Sequence, residues 1–368
     1  MHVDLESLTA HVLEEALDWE CCAKFPGHHA PGEEAAVACL RSAIRDTQRC
    51  EHFPMYEAVL VESELALLPG SGRQMKLRGG LVPLRTEEAL GTLRVLTLHF
   101  VHREHALDEA QRHFMQSVVV LGDGCPLQCY ARHMITMLLV VHAATAIVDP
   151  QSGLAPRCVL ESACILGLGA NTLGRFLRET LSTTAEIHIV EIEPAVVGLC
   201  HRQGLLDERC AVCHVGDAVD VLAELQRPFD AVFVDCFDPL AEDMVHGEAL
   251  LRLVRSRLAE GGAAVINVHR TPGKDALGVF VNVFGSGLVH AMQVDGCVQM
   301  IVVCCSSPVI TTAWGKIRRS IATSPWICGG QSPWCAEQML GTMRHQTVRL
   351  AAGEVHLWST RIKGLNGA

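Results

Sequence analysis

Four apolar runs between residues 163 and 239 each end on glycine or on an acid. They read CILGLG, EIHIVEIEP, CAVCHVGDA and FDAVFVDCFDP. Between them lie the helix-period segments NTLGRFLRETL, PAVVGLCHRQGLL and DAVDVLAEL. Short apolar strands alternating with amphipathic helices imply βαβ units, and therefore a parallel, doubly wound sheet. Downstream, ALLRLVRSRLAEGG predicts a helix with a glycine stop and GAAVINVHR a strand. KDALGVFVNVFG predicts a helix, and LVHAMQVDG and CVQMIVVCC a closing pair of strands. Open α/β sheets bind ligands in the crevice beyond the carboxyl ends of their strands, so the four run ends mark a candidate site.

Each end carries residues suited to such a site. Gly167 permits a tight turn after the first strand, while Gly169 and Ala170 are small enough for a ligand to approach the backbone. Asn171 tolerates a left-handed φ better than most residues. The helix start that follows offers N–H groups and a positive dipole end to an anion. The second strand ends in Val190-Glu191-Ile192-Glu193, where Glu191 can accept from two ribose hydroxyls. Glu193, before Pro194, reads as a supporting or helix-starting acid. On the third strand Asp217 can accept from an adenine amine, with Ala218 leaving room for the ring. The fourth ends in Asp235-Cys-Phe-Asp238-Pro239, two acids able to orient an amine or take its proton. Asp238 has a second reading as a cap of its own loop.

In this order, the motifs resemble the spermidine synthase-like branch of the class I S-adenosylmethionine-dependent methyltransferases, over about residues 130–306. Within that branch the likeness is to methyltransferases acting on a lysine and the N-terminus of elongation factor 1-alpha. GLGANTLGRFL, VEIEP, DERCAVCHVGDAVDVL, FDAVFVDCFDP, the FVNVF…GCVQMIVVC hairpin and the preceding YARHMITMLL carry it. The resemblance implies a Rossmann-like, mostly parallel doubly wound sheet and S-adenosyl-L-methionine as cofactor. Gly167, Gly169, Asn171, Glu191, Asp217 and Ala218 would bind the cofactor, and Asp235 and Asp238 would serve catalysis beside the acceptor amine. It implies a protein lysine or N-terminus as acceptor. Aminopropyl transfer to a polyamine is the alternative enzyme, and a non-catalytic scaffold subunit the alternative class. Two departures disfavour polyamine transfer. Tyr130 is followed by Ala131 and Arg132 where aminopropyltransferases carry an acid, and an arginine beside a polycation repels it. Phe237 is also bulky where polyamine enzymes carry a small residue.

Around this unit, 368 residues allow an N-terminal α+β or β-rich domain over 1–129, the methyltransferase-like domain over 130–306 and a short extension over 307–368. Residues 1–50 read as helical, with Val12, Leu13 and Leu17 on one face. YEAVLVES, RQMKLRGGLVPL, LRVLTLHFV and MQSVVVLG read as strands. The tail holds Trp314, Trp326, Trp334 and Trp358 without a clear period. A formal net charge of −11 disfavours a large nucleic-acid partner. The 17 cysteines, several inside apolar runs, suit small buried thiols in a reducing, cytoplasmic setting better than disulfides. The run from Met134 to Val148 is too short for a membrane span and reads as a buried helix. A homo-oligomer stays open. Cys210-Ala-Val-Cys213-His214 spells a haem attachment sequence but falls on a predicted strand, and no second cysteine pair is spaced for zinc. His99, His102 and His105 would share a face only on a helix, and LRVLTLHFV reads as a strand.

Overall fold

The computed structural model describes residues 37–67, 74–77, 80–83, 92–103, 113–121, 130–138, 160–178, 184–209, 211–241, 243–244, 247–268, 274–294 and 299–306. An antiparallel sheet comes first, with strand order β1-β2-β5-β6. Its strands are β1 (Val37–Arg49), β2 (Tyr56–Leu67), β5 (Thr92–His102) and β6 (His113–Val120). Between β2 and β5, β3 (Gln74–Leu77) and β4 (Gly80–Pro83) pair as a separate hairpin. The expected helix over residues 1–50 is corrected here: residues 37–49 are strand, paired with β2 from Val37↔Leu67 to Arg49↔Glu57. Exposure along residues 44–49 alternates with period two, so pairing with a neighbouring strand sets this segment's conformation. Residues 1–36 and the Trp-rich tail lie outside the described residues.

Helix α1 (residues 130–138) leads into the second sheet. That sheet follows β7 (Ser162–Leu166), α2 (Thr172–Phe176), β8 (Glu186–Glu191), α3 (Pro194–Arg202), β9 (Val212–Val215), α4 (Ala218–Glu224) and β10 (Phe229–Val234). The short pair β11 (Phe237–Asp238) and β12 (Asp243–Met244) precedes α5 (Glu248–Ser256), β13 (Leu258–Val268), α6 (Lys274–Phe284), β14 (Val289–Gln293) and β15 (Met300–Cys305). The strand order is β14-β15-β13-β10-β7-β8-β9. Pairing is parallel from β13 through β9, and antiparallel at β13–β15 and β14–β15. This is the Rossmann-like, mostly parallel doubly wound sheet expected, with a closing hairpin and an N-terminal antiparallel sheet. The predicted helix ALLRLVRSRLAEGG stops at Ser256. Its glycines instead sit in β13, where pairing jumps from Phe229↔Leu258 to Ala231↔Ala263 and Gly261 takes φ 76°.

Both faces of the sheet are covered, which explains the near-continuous apolar strands. On one face Leu222, Leu251, Phe280 and Phe284 from α4, α5 and α6 pack on Phe229, Val232 and Ile266. On the other, Met134 and Ile135 of α1, Phe176 of α2 and Leu199 of α3 share one core with Leu60, Leu98, Phe100 and Val119 of the N-terminal sheet. The two sheets are therefore joined by a common apolar interior.

Candidate active site

The strand order reverses between β7 and β10, and the chain is tightest there. Asp235 N–H donates to Leu166 O at 2.8 Å and Gly167 N–H to Val190 O at 2.8 Å. Gly167 has φ 94°, and a Cβ on it would lie 2.2 Å from the Asp235 carbonyl oxygen. Gly169 (φ 50°) and Asn171 (φ 59°) complete a turn that ordinary side chains adopt at a cost.

Every backbone N–H from 167 to 171 is taken within the protein. Leu168 N–H donates to Glu191 Oε2 at 2.9 Å and Gly169 N–H also bonds the Glu191 carboxylate. Ala170 N–H donates to Ser117 Oγ at 3.0 Å and Asn171 N–H to Leu168 O at 2.8 Å. These turn amides hold Glu191 and Ser117. The anion-facing N–H groups expected from the sequence are those of the helix start after Asn171, beyond these turn amides.

Glu191 is buried at the tip of β8. Its Oε1 accepts Glu193 N–H at 3.0 Å, and burial raises its carboxyl above the usual range against these backbone donors. A carboxylate has more lone pairs than these donors use, so acceptor capacity remains on both oxygens. Glu191 pairs in register with Val215, and its carbonyl accepts Gly216 N–H at 2.9 Å, so the tips of β8 and β9 adjoin. Asp217 follows at once, exposed. Its Oδ1 accepts Val219 N–H at 2.7 Å as the N-cap of α4, while Ala218 packs against the core.

Asn171 contributes its left-handed backbone. Its side chain turns away from the tips, with Nδ2 donating to Leu205 O at 2.8 Å. Asp238 caps its loop, with Oδ1 accepting from Leu240 N–H at 2.8 Å and Ala241 N–H at 3.3 Å.

Asp235 is different. Asn267 Nδ2, from β13, donates to its Oδ1 at 2.8 Å, and the Tyr130 hydroxyl of α1 bonds the same carboxylate. The Tyr130 hydroxyl also lies 3.4 Å from Gln116 O, and its single proton serves one acceptor at a time. Burial pushes the Asp235 carboxyl up to about 6, against the lowering effect of these two donors. The buried Asn267 Oδ1 has no partner among the described residues. Arg132 is buried two positions beyond Tyr130, about 200° around the helix.

Sequence reasoning did not single out Asn267, Ser117 or the β1–β2 turn. The turn is held by Glu193, fully buried, whose carboxylate accepts Glu51 N–H at 2.9 and 3.0 Å, His52 N–H at 3.0 Å and Ala195 N–H at 3.2 Å. Tyr56 adds a bond from its hydroxyl to Pro239 O at 3.3 Å. Glu193→Ala would strip the acceptor from three backbone donors. Unfolding free energy should fall by about 3 kcal/mol, read from urea titration; a loss under about 1 kcal/mol would show that the latch is dispensable.

The other sequence candidates resolve without a site. His99 and His102 lie on β5, where His99 bonds Thr97 Oγ1 at 2.7 Å and His102 meets Tyr56 edge-on; His105 is outside the described residues. Cys213 and His214 lie on β9, with His214 Nε2 3.0 Å from His188 Nδ1. Among the described residues no cluster is suited to a metal, and no helix is long and apolar enough to cross a membrane.

The strand order 9-8-7-10-13-15-14 thus carries a glycine turn and acids at its tips. Residues 132–298 match the spermine/spermidine synthase domain. The match bears out the branch read from the sequence. No curated protein matches the chain significantly. Among solved structures, the fold is similar to human methyltransferase-like protein 13 in complex with SAH, at 20% identity over 58% of this chain and 92% of that one, with a TM-score of 0.42. It is also similar to a probable spermidine synthase from Corynebacterium glutamicum, at 16% identity over 82% and 95%, with a TM-score of 0.48. The spermine/spermidine synthase domain covers Gly167, Glu191, Asp217 and Asp235, and α1 enters it at Arg132.

The tips fit an adenosyl group at its nucleoside end. Glu191 is fixed there with lone pairs to spare, and Oδ2 of Asp217 carries no bond among the described residues. The expectation that Gly169 leaves its backbone open to a ligand is corrected, since Ser117 Oγ fills the place a Cβ would take, as Asp235 O does at Gly167. The amino-acid end of S-adenosylmethionine finds no free amide between residues 167 and 171.

Proposed function

We propose that this chain is an S-adenosylmethionine-dependent methyltransferase acting on an amine. The observation that carries the reading is Asp235, a buried carboxyl raised to about 6 at the switch point, directly against the glycine turn. A general base works best with a pKa near ambient pH, and Asp235 is held by two side-chain donors from other elements.

Glu191 would accept the ribose hydroxyls and Asp217 the adenine amine, at tips held close by the packed turn at Gly167 and Gly169. When bound, the sulfonium supplies a methyl group already activated for displacement. The chain's task is alignment and proton handling. Asp235, oriented by Asn267 and Tyr130, would receive an N–H of the acceptor and take its proton as the nitrogen is alkylated. Asp238 would stand beside it at the mouth. The elongation-factor-methyltransferase likeness of the sequence supports a protein lysine or N-terminus as acceptor, and the acidic net charge suits a basic partner better than a nucleic acid.

Isothermal titration with S-adenosylmethionine tests this. Wild type should bind, and Glu191→Ala should bind at least about tenfold more weakly, the loss of a charge-assisted bond pair. A wild-type protein that binds no adenosyl compound would remove the enzyme reading, and a stable co-purifying partner would then favour a scaffold. The match to the spermine/spermidine synthase domain favours one second reading, aminopropyl transfer. The occupied turn amides suit a donor without a carboxylate. Preference for decarboxylated S-adenosylmethionine, with turnover of putrescine, would replace methyl transfer by that activity.

A further inference from the structure

The glycine turn is gripped from two sides. Leu168 and Gly169 amides hold Glu191, and the next amide, Ala170, is held at 3.0 Å by Ser117 Oγ of β6. Ser117 is buried, and a Cβ on Gly169 would lie 2.2 Å from its Oγ, so the hydroxyl sits flush against the turn. A second bond joins the same elements away from the turn amides: Thr172 Oγ1 donates to Val118 O at 3.4 Å. We propose that Ser117, supplied by the N-terminal sheet, is a positioning residue of the donor site. It fixes the peptide units 168–170 and, through them, the Glu191 carboxylate.

The argument is one of accounting. Two of the three amides in this stretch define where Glu191 sits, and three of the turn's residues occupy left-handed φ values. Such a backbone persists only when its surroundings over-determine it. Removing the Ser117 acceptor leaves a buried N–H without a partner, and the cheapest relief is rotation of the turn. Rotation carries the Leu168 and Gly169 amides, so the acid meant for the ribose shifts with them. The N-terminal sheet is then a wall of the donor site and not only a neighbouring layer.

This inference rests on the donor-site reading above, and its test separates the two. S-adenosylhomocysteine and methylthioadenosine share the adenosine but differ in the amino-acid tail. Titrated into the full chain, Ser117→Ala should weaken both by the same factor, about tenfold, the value of one buried bond. Thr172→Val, which removes the neighbouring bond between the same elements, should leave both affinities within about twofold. Unchanged affinity in Ser117→Ala would overturn the proposal. So would loss confined to S-adenosylhomocysteine, which would make Ser117 a tail contact, or an equal loss in Thr172→Val, which would make the effect one of general packing. If wild type bound neither ligand, the donor site itself would fall and this proposal with it.

Discussion

Gly167→Ala should unfold the parallel sheet at its switch point or leave it unable to bind an adenosyl compound, with a stability loss of about 4 kcal/mol or more. Two separate effects add. A left-handed φ of 94° costs an L-residue about 1–3 kcal/mol. The new Cβ would also stand 2.2 Å from the Asp235 carbonyl oxygen and 2.8 Å from its carbon, both backbone atoms of the adjoining strand end. Neither can rotate aside, because the Asp235 N–H is bonded to Leu166 O. The strands must separate, and β10 to β7 is the pairing on which the crevice depends. Gly204→Ala isolates the contact. Gly204 has φ 66° and nothing within 4 Å of its added Cβ, so it suffers the backbone term alone, about 1 kcal/mol. Urea titration of the two variants should show the Gly167 loss exceeding the Gly204 loss by about 2 kcal/mol or more. Equal losses would mean that the strand tips are not locked together as described.

The same turn shows what a sequence can and cannot disclose. Gly167 and the acids at the strand ends are legible because the signal is local: a period-two apolar run, a breaker, then helical period. The alternation of β7, β8, β9, β10, β13, β14 and β15 with their helices follows from that rhythm, whereas the short pair β11–β12 does not. Roles decided by contacts across the chain do not. Ser117 is 53 residues from the amide it holds, and Glu51 is 142 residues from Glu193. Ser117 sits in MQSVVVLG beside Gln116, indistinguishable from a solvent-facing strand position. Residues 37–49 read as helix because their strand character appears only beside β2. The two acids of DCFDP could not be ranked by spacing. Three residues apart, they differ only in where their side chains find donors: Asp238 on its own loop, Asp235 on Asn267 and Tyr130 from two other elements.

Asp235→Asn should be nearly inactive and yet more stable than wild type. Loss of a positioned base lowers the rate by about 10²- to 10⁴-fold. The stability change follows from the carboxyl's displacement from an ordinary 3.8 to about 6. Between those values the folded protein binds a proton that the unfolded chain releases. The stability this confers is therefore complete below pH 3.8 and is lost as pH rises through about 6. At pH 7 the ionised carboxyl costs the fold about 3 kcal/mol as an upper figure. Asparagine carries no charge to desolvate, and its Oδ1 can still accept from Asn267 Nδ2 or Tyr130. Its melting temperature should therefore exceed that of wild type at pH 7.5 and converge with it near pH 4. Wild-type turnover should rise with pH through an inflection near 6, the point at which Asp235 becomes able to take the acceptor's proton. That inflection should be absent from the residual activity of Asp235→Asn. A variant that kept its rate within about threefold would remove Asp235 from the reaction. A variant less stable than wild type at neutral pH would show that the carboxylate is held for the fold's benefit. A switch-point acid that destabilises the protein while serving its chemistry is the pattern expected of an active site, where function is retained against stability.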